Sequence, residues 1–133
     1  MDAFAFHIDP HRSLLTVVMR GFWDLPTYLA YDAQISEQLK ILGHLPPPRG
    51  CLIDAREFAV QSQELMNQMI EGLHRRLPLY PERTARVVTS AVARSQATRV
   101  GNAVGQGVFS TIEAATAWLM EEGSAVPDQG ATA

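Results

Sequence analysis

Cysteine is nearly missing from this 133-residue sequence: Cys51 stands alone. A lone cysteine excludes an internal disulfide. Long apolar runs are missing as well, and nothing approaches the roughly 20 residues that cross a bilayer. Cationic excess is absent. Eleven Lys and Arg against fourteen Asp and Glu give a formal net charge of −3, the wrong sign for the basic footprint of a nucleic-acid binder. The first residues hold no basic segment followed by an apolar stretch, so no export signal is read and the cytoplasm is the expected compartment. Gly101, Gly105 and Gly107 satisfy neither phosphate-loop fingerprint. The four histidines (His7, His11, His44, His74) have no cysteine or glutamate partners at zinc-site spacing, so neither a metal nor a cofactor is expected.

What is present is the composition of a soluble globular domain, with 47% hydrophobic and 19% charged residues. The length suits one domain with a substantial core, expected over residues 1–123, with residues 124–133 as a flexible tail. Phe4, Phe6 and Ile8 alternate as in a strand, and Asp9-Pro10-His11-Arg12-Ser13 supplies turn chemistry. Leu15, Val17 and Met19 continue the alternation, with Leu14, Thr16 and Val18 on the opposite face. These features predict a hairpin ending at Gly21.

Asp24 then caps a helix with Pro26 in its first turn and a stripe of Leu25, Tyr28, Leu29, Ile35, Leu39 and Leu42 closed by Gly43. Cys51-Leu52-Ile53 reads as a strand buried on both faces. A second helix carries Leu65, Met66, Met69, Ile70, Leu73 and Leu77, stopped by Pro78. A strand over Arg86 to Thr89 follows, then a weaker helical stretch from about Ser95 to Val104.

The stretch Val108 to Leu119 combines a strand stub, a capping box of Ser110 with Glu113, and an amphipathic helix of Ile112, Ala115 and Leu119 beside Trp118. Gly123 is expected at its C-terminal cap. The element order is strand, strand, helix, then three further strand–helix units. Such alternation predicts an α/β fold with parallel neighbours and right-handed crossovers, the hairpin making the five-stranded sheet mixed, with about four helices.

Arg83-Thr84-Ala85-Arg86-Val87-Val88 and the "Phe, polar, polar, x, Glu-Ala, three residues, Trp-Leu" ending at Phe109–Leu119 resemble the SpoIIAA-like branch of the STAS superfamily. The resemblance implies a STAS-like fold and, for better-known relatives, non-enzymatic regulatory protein binding. Anti-sigma-factor antagonists of this superfamily share an Asp-Ser-Ser/Thr-Gly-Leu stretch whose hydroxyl is phosphorylated. Here the matching residues are Gln61-Ser62-Gln63-Glu64-Leu65. Ser62 and Leu65 fit the pattern, Gln63 replaces the phosphorylated residue, and Glu64 replaces the glycine. A phosphate at this helix start would meet repulsion from Glu64.

Five residues stand out as candidate regulatory or partner-binding positions. Ser62 is either a phosphoacceptor or simply a helix N-cap. Asp54 and Arg56 follow the central strand at its carboxyl end, where α/β sheets tend to bind ligands, or else form a solvated pair. Phe22 and Trp23 either present an interface or close the core. His74-Arg75-Arg76 reads as a solvated helix face, and Cys51 as buried packing. The leading reading is a non-catalytic STAS-like module engaging a protein partner or a small apolar ligand. A small enzyme or ligand carrier with a site at Asp54 and Arg56 is the alternative. A mainly structural homo-oligomer, such as a homodimer, using the hairpin edge strand or the Phe22–Trp23 corner, is a third.

Overall fold

Asp9 turns the chain between the first two strands. Its Oδ1 accepts hydrogen bonds from the backbone N–H groups of His11 and Arg12 at 3.0 and 3.3 Å, a side-chain substitute for a backbone turn. Strand β1 (Phe4–Asp9) thereby folds antiparallel onto β2 (Leu14–Gly21), with Phe4 opposite Met19 and Asp9 opposite Leu14. A computed structural model of the chain describes residues 2–104 and 106–121.

The remaining elements follow in the expected order: α1 (Leu25–Leu42), β3 (Gly50–Phe58), α2 (Gln63–Arg76), β4 (Arg83–Val87), α3 (Ala91–Val104), β5 (Gly107–Phe109) and α4 (Ile112–Met120). The second helix ends at Arg76, and a 3-10 turn at Leu77–Leu79 containing Pro78 follows it. The five strands lie side by side in chain order, and β2 through β5 are mutually parallel. The expected mixed five-stranded α/β architecture is therefore what forms.

The sheet is covered on both faces. On one, Leu15, Val17 and Met19 of β2 and Cys51 and Ile53 of β3 pack against α1 and α2. On the other, Leu14, Leu52, Ala85 and Val87 pack under Ala115, Trp118 and Leu119 of α4. Burying each such aliphatic side chain is worth about 2 kcal/mol. Helix α3 lies on the first face near β5, where its Ala93 and Ala97 meet Val88 and Val108.

Several boundaries and faces differ from the sequence reading. β3 runs five residues beyond Ile53, because parallel pairing with β2 resumes at Glu57 and Phe58 past a shift in register. β4 begins at Arg83, where pairing with Gly50 starts, and ends at Val87. α3 begins at Ala91, since Ser90 Oγ accepts from the Ala93 N–H. Thr111, not Ser110, caps α4: Thr111 Oγ1 accepts from the Ala114 N–H, while Ser110 Oγ accepts from Arg94. On α1 the stripe is Tyr28, Tyr31, Ile35, Leu39 and Leu42, and Leu25 and Leu29 are exposed.

Arg76 is the largest departure. It is not on a solvated face but only 4% exposed, paired with Asp32 of α1 and set 5.9 Å from the Tyr31 ring centroid. Gly105, Gly123 and the boundary at residues 123 and 124 lie outside the described residues.

Candidate partner-binding site

Parallel strands aim their carboxyl ends, and the loops that follow them, at one edge of the molecule. At that edge the β2–α1 loop (22–24) lies against the β3–α2 loop (59–62). Gly21, at φ +80, takes a left-handed backbone as β2 ends. Its carbonyl accepts from the Ala59 N–H at 3.1 Å.

Gln61 locks the two loops together. Its Oε1 accepts from the Trp23 N–H at 2.9 Å, and its Nε2 donates to the carbonyls of Gly21 (2.9 Å) and Ala59 (2.6 Å). The side chain is buried, so these bonds satisfy groups that would otherwise be desolvated and unpaired. The Gln61 backbone is held in turn by Gln96 of α3: its N–H donates to Gln96 Oε1 at 3.0 Å, and its carbonyl accepts from Gln96 Nε2 at 3.2 Å.

This clasp separates the two aromatic candidates. Trp23 is 3% exposed, its Nε1 donates to the Arg20 carbonyl at 2.8 Å, and its ring centroid lies 4.8 Å from that of Phe58. Phe22, one residue earlier, is 67% exposed. Leu25 and Leu29 continue the exposed apolar surface along α1 at three- and four-residue spacing. Ser62 is the exposed N-cap of α2, with Oγ accepting from the Leu65 N–H at 3.1 Å. The neighbouring Gln63 is also exposed and donates from Nε2 to Asn67 Oδ1 at 2.9 Å.

Phe22, Trp23 and Ser62 thus line one open groove of about 540 Å³, together with Asp24, Leu25, Thr27, Glu64, Leu65 and Gln68. Its charged lining residues are both acids. The Asp24 carboxyl is held below the usual range by hydrogen bonds from Thr27, at whose N–H it caps α1. Glu64 sits in the first turn of α2. Each wall of the groove therefore carries one acid beside apolar side chains, Asp24 with Phe22 and Leu25, and Glu64 with Leu65.

Asp54 and Arg56 are not part of this groove. They lie within β3 rather than beyond its end, and two residues apart they share one sheet face. The Arg56 guanidinium grips the Asp54 carboxylate in a fork, both N–O distances being 2.9 Å. That hydrogen bonding holds the Asp54 carboxyl below its ordinary value. Neither residue lines the Ser62 groove. Sequence reasoning missed Gln61, the residue that joins the loops. Its place directly before the Ser62 cap, between a strand and a helix, was the available signal.

Among the described residues, no group of three or more His, Cys, Asp or Glu residues is arranged to hold a metal ion. No described helix is long and apolar enough to cross a membrane. No family model matches the sequence, and no curated protein matches it. Among solved structures, the chain is similar to an anti-sigma factor antagonist from Mycobacterium paratuberculosis, with a TM-score of 0.64 at 13% identity over 89% of this chain and 95% of that one. At that identity the likeness is one of fold: the chain has the STAS-like architecture that its C-terminal residues resemble.

Proposed function

We propose that this protein is a non-catalytic regulatory module that docks a protein partner at the groove between Phe22 and Ser62. The observation that carries this reading is the exposed Phe22 ring, held beside the α2 N-terminus by a loop that Gln61 and Trp23 make rigid. An aromatic fixed on the surface by buried neighbours loses little entropy on binding and suits an interface anchor. The similar fold of an anti-sigma factor antagonist supports the same class of role.

The acids Asp24 and Glu64 select the partner's charge. A partner offering one apolar side chain to Phe22 and Leu25 and a Lys or Arg to Asp24 and Glu64 complements the groove. Ser62 serves here as a cap rather than a phosphorylation switch. Its Oγ already satisfies the helix start, and a phosphate would bring a further negative charge against Asp24 and Glu64.

The test is site-specific photo-crosslinking in native lysate from position 68, which lines the same groove and is exposed, with the Phe22→Asp variant and a metabolite panel alongside. One protein should crosslink at position 68 and not at the exposed Ile41, its capture should fail when Phe22→Asp is added, and Ser62→Ala should leave capture intact. Capture that survives Phe22→Asp, or turnover of a panel metabolite, would overturn the reading.

A further inference from the structure

The sheet has two edges, and they differ. At one, β5 is only three residues long, and its Val108 and Phe109 are covered by α3 and α4. At the other, β1 runs for six residues with no interruption in its pairing to β2. Its sequence, Phe-Ala-Phe-His-Ile-Asp, holds none of the devices that keep a sheet edge from pairing: no lysine, no proline and no bulge. Its single acid, Asp9, stands at the end and is turned into the hairpin, where it accepts from the His11 and Arg12 N–H groups.

Hydrogen bonding to β2 decides which backbone groups this edge offers. The Arg20 N–H donates to the Ala3 carbonyl at 2.8 Å, and these two residues stand opposite each other when the β1–β2 register is continued by one step. Opposed residues of an antiparallel pair alternate between bonded and non-bonded, so Ala5 and His7 direct their N–H and C=O groups at β2. Phe4, Phe6 and Ile8 turn theirs outward, where no strand follows among the described residues. The side chains of the same three residues form a half-buried row against the α1 side of the core. The Phe4 and Phe6 ring centroids lie 5.6 and 6.0 Å from that of Tyr31.

We propose that β1 pairs antiparallel with β1 of a second copy, making a two-fold dimer with one continuous sheet. The register is centred on Phe6, which faces Phe6 of the second copy, while Phe4 faces Ile8. This register bonds every outward N–H and C=O group of Phe4, Phe6 and Ile8, and a shifted one leaves some of them without a strand partner. On the α1 side the two half-buried rows meet, apolar against apolar. On the opposite face His7 falls against Ala5 of the second copy, and no two charged side chains stand directly opposed. The strand is thus complementary to itself, which makes a second copy its occupant. The groove of Phe22 and Ser62 contains no β1 residue, so each copy keeps its own, and the two-fold sets the two grooves at opposite ends of the joined sheet.

The experiment follows the full chain by sedimentation equilibrium from micromolar to submillimolar concentration, with amide hydrogen exchange read by NMR at both ends of the range. The mass should rise from monomer to dimer and stop there. In the dimer the amides of Phe4, Phe6 and Ile8 should gain protection, whereas those of Ala5 and His7, bonded to β2, should be protected at every concentration. Ile8→Pro deletes an outward N–H and no bond to β2, and should weaken dimerisation about tenfold or more. If that variant does not fold, the exchange pattern of the unaltered chain decides the matter. A strict monomer throughout overturns the proposal. So does a dimer in which the Phe4, Phe6 and Ile8 amides still exchange freely, or one that Ile8→Pro leaves intact. Phe22→Asp should leave the dimer in place, and its dissociation by that variant would put the contact at the Phe22 corner and overturn the proposal. Partner capture is measured separately, so the docking reading stands or falls on its own test.

Discussion

The Tyr28 hydroxyl occupies the space above Gly72 that a side chain would need. A β-carbon at Gly72 would fall far inside van der Waals contact with that oxygen. Tyr28 is itself fixed, its hydroxyl donating to the Gln68 carbonyl at 3.1 Å. Helices α1 and α2 are thereby joined at one point of close approach.

Gly72→Ala should lower stability by about 1–3 kcal/mol, overpacking outweighing the helix-propensity gain of about 1 kcal/mol. Adding Tyr28→Phe, which removes the obstructing oxygen, should recover part of the loss. Urea melts of the two single variants and the double variant check this, and strict additivity would refute the contact.

The ion pair between the same helices predicts an asymmetry. Asp32 faces both Arg76 and the more exposed Arg75. Asp32→Ala strands the Arg76 guanidinium in the interior and should cost about 3–5 kcal/mol. Arg76→Met leaves Asp32 with Arg75 and an apolar stem in the core, and should cost clearly less. Equal losses in denaturant melts would contradict this account.

Gln61→Ala removes three hydrogen bonds of a buried side chain at once and should destabilise the fold by about 2–3 kcal/mol. It should also loosen Trp23. The indole fluorescence of a Trp118→Phe background, which isolates Trp23, should shift toward longer wavelength under native conditions. An unchanged spectrum would mean that the loops are held by other contacts.

The acid limb of stability follows from Asp24 and Asp54, both with folded pKa values below 3.8. A depressed carboxyl stabilises the fold above its unfolded pKa, and that contribution disappears as pH falls through the folded value. In the window below about pH 4 the unfolded chain binds more protons, so stability must drop as pH falls. The doubly substituted variant Asp24→Asn, Asp54→Asn should lose less stability over this window, as read from melts at stepped pH.

Cys51 lies fully buried in β3, and burial pushes its thiol up to about 12. It should resist alkylation at pH 8 in the native protein and react promptly in denaturant. Rapid native labelling would place it outside the core.

Much of this architecture was legible from local chemistry. The Asp9 turn, the Asp24 and Ser62 caps and the alternation of β2 are decided by neighbours within four residues. The misreadings arose where distant residues decide. Arg76 looked solvated beside His74 and Arg75, yet it falls three residues after Leu73 and seven after Met69, on the buried stripe. Tyr31 likewise continues the spacing from Tyr28 to Ile35, which Leu29 does not. The extent of β3 depends on β2 and β4, and no local signal marks where such pairing ends.

For the candidate site, sequence picked out Phe22, Trp23 and Ser62 singly, but not that two loops bring them to one groove. Nor could it tell the exposed ring from the buried one, because that depends on the Gln61 amide reaching the Trp23 backbone.

The coincidence of strand order with chain order has a consequence for how the protein is made. As the chain leaves the ribosome, each new strand meets a sheet with a free edge and joins there, and no strand has to wedge between two already paired. Assembly can keep pace with synthesis from the hairpin outward. The last of these strands to arrive, the three-residue β5, adds to the open edge of β4 after the other four are already paired.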